Sequence, residues 1–202
     1  VAAGNMDAFV RTFDASGAEV WTRQFGSQGP VDDIARAVAG DAAGNIYVGG
    51  NTRGSLERNL GLSDAFVRKY DAKGNAVWMR QFGTAAFDSA TAIAVSGTSI
   101  YVAGRTDSAL TGQMFAGGTG DAFVQKFDSD GNIVWIRQFG STAFDQALAI
   151  VADASAVYVA GETQGTLVSS VSGRSDAFLR KYDAAGTEVR TRQFGSPAAD
   201  QA

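Results

Sequence analysis

The 202-residue sequence contains neither cysteine nor histidine. Without cysteine, the chain can form no disulfide, no thiolate metal site and no thiolate nucleophile. Without histidine, it lacks the commonest general base and the commonest metal ligand. No apolar run is long enough to cross a membrane, and the 17 lysine and arginine residues form no basic stripe. These absences predict no nucleic-acid partner and no insertion into a membrane.

The chain instead has the composition of a folded domain, and it is built on an internal repeat. Hydrophobic residues make up 45% of it, which excludes a disordered chain, and its net charge is -4. The block DAFVRKYDAKGNAVWMRQFG at residues 64–83 has close copies at residues 7–26, 121–140 and 176–195. The aspartate in the middle of this block recurs after 57, 57 and 55 residues, as Asp14, Asp71, Asp128 and Asp183.

Each period contains four short apolar runs that are typical of β-strands. The runs NIYVGG and AVWMRQF are rich in β-branched and aromatic residues, and turn residues bound each of them. The turns DAKGN and DSDGN begin with aspartate and place glycine where a positive φ is needed, which suits a hairpin built on a type I turn. Each period is therefore predicted to be a four-stranded antiparallel sheet.

One such sheet leaves both of its apolar faces uncovered, whereas copies stacked around an axis cover each other. We therefore predict an all-β fold, a β-propeller of four-stranded antiparallel blades, with about three and a half blades present. The strands run from A near the axis (ATAIAV) through B (IYVGG) and C (DAFVRKYD) to D (AVWMRQFG) outside. The single segment divides into a half blade at residues 1–26, blades at about 34–83, 90–140 and 147–195, and a tail at 196–202 that starts a further blade.

Aromatic and arginine side chains recur on one face of each outer strand. Alternation along strands D and C gives two such sets: Trp78, Arg80 and Phe82, and Phe66, Arg68 and Tyr70. We expect the two kinds of set to stack between neighbouring blades. The tryptophan position recurs as Trp21 and Trp135, but the fourth copy has Arg190 there.

The motifs DAFVRKYDAKGNAVW at residues 64–78 and DAAGNIYVGGNT at residues 41–52, with their copies, resemble the bacterial seven-bladed β-propeller repeat family, the SBBP repeats. The resemblance covers nearly the whole chain. It implies a secreted or surface-attached bacterial protein that is often one module of a longer chain and has no assigned activity. The repeats of quinoprotein dehydrogenases and outer-membrane assembly propellers are less similar, since their period is shorter. The sialidase Asp-box is similar to DSDGNIVW, except that its serine is out of position.

Three blades and a half blade do not complete a ring, because a propeller needs at least four blades. We expect the chain to be a fragment, or the ordered part, of a longer propeller. Its partners would then be other parts of the same longer chain or neighbouring subunits. The first connection between strands B and C is unusually short, since only two residues separate Gly4 from Asp7. A tight loop or a missing segment would explain this.

The connections between strands B and C, at residues 51–63, 105–120 and 162–175, vary while the strands barely change. Variable loops on a rigid scaffold are where binding specificity usually lies. Their apolar side chains either pack down over the blades or form an exposed rim that binds a glycan, a peptide or a neighbouring subunit. The candidate rim residues are Leu56, Leu60, Met114, Phe115, Leu167 and Val168.

Two aspartates per period, one entering strand A and one entering strand C, are predicted to reach the same face as these connections. Carboxylates combined with loop carbonyls are ligands that calcium prefers, so calcium is the one candidate cofactor. The alternative is that each aspartate caps a loop by accepting backbone N–H bonds. The candidate ligands are Asp33, Asp64, Asp88, Asp121, Asp145 and Asp176, with Asp7 and Asp200 at the equivalent positions near the two ends.

The sequence has no nucleophile elbow, phosphate-binding loop or zinc motif. Its aspartates recur in every period, as structural residues do, and the carboxylates that break the repeat (Glu57, Asp107 and Glu162) show no evident partner. We therefore predict a non-catalytic extracellular or cell-surface module for binding or structure. One alternative is a polysaccharide hydrolase or lyase that uses carboxylates of the loop face. The other is a subunit of a surface lattice or filament.

Overall fold

The computed structural model describes residues 5–168, 174–198 and 200. Residues 1–4 of the predicted half blade, 169–173 of the third variable connection, and 199, 201 and 202 of the predicted tail lie outside this description. The described residues form fourteen strands and no helix, and thus no helix that could cross a membrane. The strands are β1 (Ala8–Phe13), β2 (Glu19–Phe25), β3 (Asp33–Gly40), β4 (Ile46–Thr52), β5 (Asp64–Tyr70), β6 (Ala76–Phe82), β7 (Asp88–Ser96), β8 (Ser99–Thr106), β9 (Asp121–Phe127), β10 (Ile133–Phe139), β11 (Asp145–Ala152), β12 (Ala156–Thr163), β13 (Asp176–Asp183) and β14 (Glu188–Phe194).

These strands form four sheets in chain order. The first sheet is the pair β1-β2, and the second (β3-β4-β5-β6), third (β7-β8-β9-β10) and fourth (β11-β12-β13-β14) each have four strands. Every pairing within a sheet is antiparallel. The predicted all-β fold with four-stranded antiparallel units is confirmed, and the arrangement is consistent with propeller blades. The count of about three and a half propeller blades stays a prediction.

The hairpin between the two outer strands of each sheet closes on an Asp-x-x-Gly turn. In the second sheet, Gly74 N–H donates to Asp71 O at 2.9 Å, and Asp71 Oδ1 accepts hydrogen bonds from the N–H groups of Lys73 and Asn75 at 2.9 and 2.8 Å. Gly74 has a φ of 76°, in the left-handed region that side chains disfavour. The sequence pattern and the turn geometry therefore agree.

The hydrophobic core lies between neighbouring sheets. Lys69 pairs with Trp78 across β5 and β6, so these two side chains share one face and Phe66 and Arg68 lie on the other. Across the space between the first and second sheets, the Phe25 ring lies 5.5 Å from the Phe66 ring and 4.7 Å from the Arg68 guanidinium. The same edge-on aromatic pair recurs in the next two interfaces, as Phe82 with Phe123 and Phe139 with Phe178.

In the first three sheets, a tryptophan and an arginine of the last strand also bind the turn of the following sheet. Trp78 Nε1 donates to Ser129 O at 3.0 Å, and Arg80 Nε donates to Gly131 O at 2.8 Å. The Arg80 guanidinium also donates through Nη2 to Asp130 O at 2.9 Å. We call this arrangement the turn clasp. It recurs where Trp21 and Arg23 hold the turn at 71–75, and where Trp135 and Arg137 hold the turn at 183–187.

The turn clasp explains why the repeat pairs tryptophan with a distant glycine. A Cβ atom on Gly131 would lie 3.0 Å from Trp78 Cδ2, so glycine lets the indole lie directly on the turn. Gly74 and Gly186 have the same relation to Trp21 and Trp135. The three tryptophans thus have equivalent surroundings, as the repeat predicts.

Candidate functional site

The variable connections and the turns that lead into the first strand of the next sheet lie along one edge of the structure. Ser63, which precedes β5, forms an isolated parallel bridge with Phe87, and its carbonyl accepts the N–H of Asp88 at 2.7 Å. Gly120 and Phe144 form the same bridge one sheet later. We call this edge the loop face, and it carries the binding residues that the sequence suggests.

A glutamine on each last strand anchors the variable connection of its own sheet. Gln81 Oε1 accepts the N–H groups of Leu56 and Glu57 at 2.8 and 3.0 Å. Its Nε2 donates to Gly54 O at 2.9 Å and to Asp64 Oδ2 at 2.6 Å. Two further glutamines make the corresponding contacts: Gln138 and Gln193. Sequence reasoning missed these anchors, although RQFG recurs in all four blocks.

The predicted rim residues divide into packed and exposed side chains. Leu56 and Leu167 are partly buried against the core between sheets, and Leu60 is also partly buried. Met114 is 86% exposed and Val168 is 55% exposed. The remaining rim residue, Phe115, is partly buried. Leu62, in the first variable connection, is 75% exposed. The loop face therefore combines anchored bases with exposed apolar tips.

The aspartates that enter the first strand of each sheet close the turn before it. Asp88 Oδ2 accepts hydrogen bonds from both the N–H and the hydroxyl of Thr84, at 2.6 and 2.9 Å. Two other aspartates bind a serine in the same way: Asp33 binds Ser27, and Asp145 binds Ser141. Asp200 accepts the N–H of Ser196 at 2.6 Å.

The aspartates that enter the third strand bind the variable connection. Asp64 Oδ2 accepts the N–H of Leu60 at 2.7 Å in addition to the amide of Gln81. Asp121 Oδ2 accepts the N–H of Ala116 at 2.8 Å. The remaining two accept a glutamine amide: Asp176 from Gln193 at 3.0 Å, and Asp7 from Gln24 at 3.1 Å. Each of these carboxylates is thus a hydrogen-bond acceptor for the loop or strand beside it.

Four of these carboxyl groups carry an oxygen with no hydrogen-bond partner among the described residues. Asp64, Asp88, Asp121 and Asp145 are fully buried, and the unpartnered atom is Oδ1 in each. Burial raises the pKa of Asp88 against the opposing hydrogen bonds from Thr84, and the nearby Asp64 carboxylate raises it further. Burial likewise raises the pKa of Asp121 and Asp145, and the Asp145 carboxylate adds to the effect on Asp121.

Calcium is the metal that such oxygen atoms would suit, and it takes six to eight oxygen ligands. In the part of the chain that the structure describes, no group of three or more acidic side chains is placed to share a metal ion. A site would therefore depend on two carboxylates with loop carbonyls or water, such as Asp64 with Asp88. Calcium binding stays a prediction.

Two carboxylates that break the repeat have partners that the sequence did not reveal. Glu57 Oε2 accepts the N–H of Gln81 at 2.9 Å. Asp107 forms a two-pronged ion pair with Arg105, with Nε–Oδ1 and Nη2–Oδ2 distances of 2.6 and 2.7 Å. The Arg105 guanidinium lies 5.1 Å from the Phe87 ring and 4.9 Å from the Phe144 ring. The prediction that Asp107 lacks a partner was wrong, because the chain bends between Arg105 and Asp107 and brings their side chains together.

Comparison with known proteins agrees with this architecture. The sequence model described as "SBBP: Beta-propeller repeat" matches residues 20–57, which run from β2 through the second sheet's first two strands into the first variable connection. The resemblance to this repeat family that the sequence motifs suggest is therefore confirmed.

Two individual proteins show more distant likeness. The chain is 34% identical over 108 residues to "Regulatory protein FlaEY" of Caulobacter vibrioides, an alignment that covers 49% of this chain and 11% of the relative. The chain thus spans about a tenth of that relative's length. A solved structure titled "Crystal structure of the eukaryotic initiation factor" aligns with a TM-score of 0.49 and 10% identity, over 95% of this chain and 44% of that one.

Proposed function

We propose that this chain, whose repeat is that of the SBBP beta-propeller family, is a non-catalytic binding or structural module. Its sheets form a rigid scaffold, and the loop face presents variable connections to a glycan, a peptide or a neighbouring subunit. The observation that carries the proposal is the contrast within each connection. Glutamine anchors such as Gln138 hold the base, while tips such as Met114 stay exposed.

The carboxylates of the loop face support a non-catalytic role. A general acid or nucleophile needs a carboxyl group that can reach a substrate, whereas Asp64, Asp88, Asp121 and Asp145 are fully buried. Each also accepts hydrogen bonds from its own loop or turn, as the Asp88–Thr84 contacts illustrate. The relative from Caulobacter vibrioides is named a regulatory protein, which is compatible with a module that binds rather than reacts.

We further propose a bacterial location, secreted or at the cell surface, which is what the SBBP resemblance implies. Fractionation of the source cells, followed by surface labelling of intact cells, tests this part. Detection of the protein only in the cytoplasm would contradict it.

The binding proposal is tested with the 202-residue chain on glycan and random-peptide arrays. We expect a defined set of probes to bind, and the variant Met114→Glu to weaken that binding without changing the melting temperature, because this side chain is 86% exposed. Val77→Glu is the matched control, since Val77 is exposed but lies on β6 away from the loop face. If no probe binds, or if both variants weaken binding equally, the exposed loop-face residues are not the binding site. Release of new reducing ends from a polysaccharide panel would favour the hydrolase or lyase alternative.

A further inference from the structure

The third sheet replaces a polar set of side chains that the first and fourth sheets share. In the fourth sheet, Arg180 of β13 pairs with Glu188 of β14 at 3.3 Å, and Thr191 Oγ1 donates to Glu188 Oε1 at 2.6 Å. The first sheet has the same set of contacts: Arg11, Glu19 and Thr22. The corresponding positions of the third sheet hold one amide and two apolar side chains: Gln125, Ile133 and Ile136. The whole polar set has therefore been exchanged in this one sheet.

The arginine of this set covers a phenylalanine of the preceding sheet. The guanidinium carbon of Arg180 lies 3.8 Å from the centroid of the Phe139 ring, and that of Arg68 lies 4.7 Å from the centroid of the Phe25 ring. Both rings are 8% exposed. Phe82 holds this position before the third sheet and is only partly buried. The shorter glutamine side chain of the third sheet thus leaves part of the Phe82 ring uncovered.

A cavity of about 340 Å³ lies beside Gln125, between the second and third sheets, and opens to solvent. Phe82 packs against Phe123 and Phe127, which flank Gln125 on the same face of β9. The apolar walls come from the outer strands and the variable connections of the two sheets: Phe82, Leu60, Leu110, Ile133 and Ile136. None of the described residues that line the cavity is ionisable. We call it the Gln125 pocket, and both sheets that form it have all four strands.

Gln125 supplies a polar group that needs a partner. The residue is 1% exposed, and its Nε2 has no hydrogen-bond partner among the described residues. A buried N–H donor without an acceptor is costly, and such donors in native proteins nearly always find one. The terminal torsion of a glutamine is soft, so a small rotation turns this N–H toward an acceptor in the pocket.

We propose that the Gln125 pocket binds a neutral small molecule with a ring-sized apolar body and one hydrogen-bond acceptor. The apolar body packs against the uncovered Phe82 ring and Ile136, and the acceptor takes the N–H of Gln125 Nε2. The volume suits such a ligand, since an apolar cavity of about 150 Å³ holds benzene. A charged ligand would lose its hydration without gaining an ionic partner from the walls. The pocket lies between sheets, so the inference goes beyond the proposed function of the exposed loop tips.

Titration of the ¹⁵N-labelled chain with acetophenone tests the proposal, because this neutral molecule joins a phenyl ring to one carbonyl acceptor. We expect a dissociation constant of about 1 mM, as is usual for a ligand of this size. The amide resonances that shift should belong to the pocket walls, at residues 60, 110, 133 and 136. Ethylbenzene, which has a similar shape but no acceptor, should bind about tenfold more weakly, and benzoate should not bind. Shifts that map elsewhere, or equal binding of ethylbenzene, would overturn the proposal.

Two substitutions of Gln125 separate the volume of the pocket from its hydrogen bond. Gln125→Arg restores the residue of the other sheets and should abolish binding, because the guanidinium would cover Phe82 as Arg180 covers Phe139. Gln125→Leu keeps the size of the side chain and removes the donor, so acetophenone should bind about tenfold more weakly while ethylbenzene binds at least as well as to the parent. Circular dichroism verifies that each variant is folded, and the Gln125→Leu result stands on its own if Gln125→Arg does not fold. Unchanged acetophenone affinity in either folded variant would overturn the assigned site.

Met114→Glu separates this inference from the proposed function. Met114 is 86% exposed and lies outside the pocket walls, so this variant should bind acetophenone as the parent does. A parent chain that binds acetophenone but no array probe would support this inference and contradict the proposed function alone. Loss of acetophenone binding in Met114→Glu would place the site on the exposed loop tips and overturn the inference.

Discussion

Replacing Trp135 by alanine should strongly weaken the contact between the third and fourth sheets. The side chain is 8% exposed, and its ring lies 6.0 Å from the ring of Tyr101 and 6.1 Å from that of Tyr182. Its Nε1 donates to Ala184 O at 3.3 Å. The substitution therefore removes an aromatic packing element and a hydrogen bond between sheets together, and it leaves a cavity above Gly186.

The expected loss of stability follows from the burial of the Trp135 side chain. Truncation of a buried tryptophan to alanine typically costs about 3–5 kcal/mol. For a chain of this length, each kcal/mol lowers the melting temperature by about 2–4 °C, so the expected drop is about 6–20 °C. Trp135→Phe keeps most of the apolar contact and loses the N–H donor, which accounts for about 0.5–1.5 kcal/mol of the total.

Urea unfolding followed by far-ultraviolet circular dichroism measures these differences without relying on the fluorescence of the removed residue. Val134→Ala is the matched control, because this neighbour on β10 is 54% exposed. Its free energy of unfolding should stay within about 0.5 kcal/mol of the parent value. If Trp135→Ala also stayed within that margin, the turn clasp would not stabilise the fold and our reading of the interface would be wrong.

Three further outcomes follow from the same contacts. Burial raises the pKa of Asp88, so its carboxylate destabilises the fold once the pH rises above the pKa that this group has in the unfolded chain. Asp88→Asn should therefore raise the melting temperature at neutral pH and lose this advantage as the pH falls toward the ordinary aspartate range. A difference in melting temperature that stays constant across pH would contradict this prediction. Gly131→Ala should destabilise more than Gly17→Ala in thermal melts, since both replace a left-handed glycine but only the first also meets an indole; equal losses would remove the steric argument. Gln138→Leu should speed amide exchange across residues 107–120, and unchanged exchange there would show that the glutamine does not anchor the connection.

The sequence predicts the strands and turns well because both depend on local chemistry. Alternating apolar residues and the Asp-x-x-Gly turns need only neighbouring residues, and they locate β5 and β6 closely. The recurrence of Trp78 at equivalent positions also predicts that the indoles lie in equivalent surroundings. These are properties that a short stretch of chain determines before any distant contact forms.

The loop face was harder to predict because it depends on distant pairs and on register. Gln81 contacts a connection 24 to 27 residues earlier, and nothing local to RQFG indicates that its amide binds loop backbone. The register also shifts at irregular positions such as Ala90 to Ala92 and Lys69 to Tyr70. A single shift exchanges the faces of all following side chains, so alternation alone cannot assign them across a whole strand.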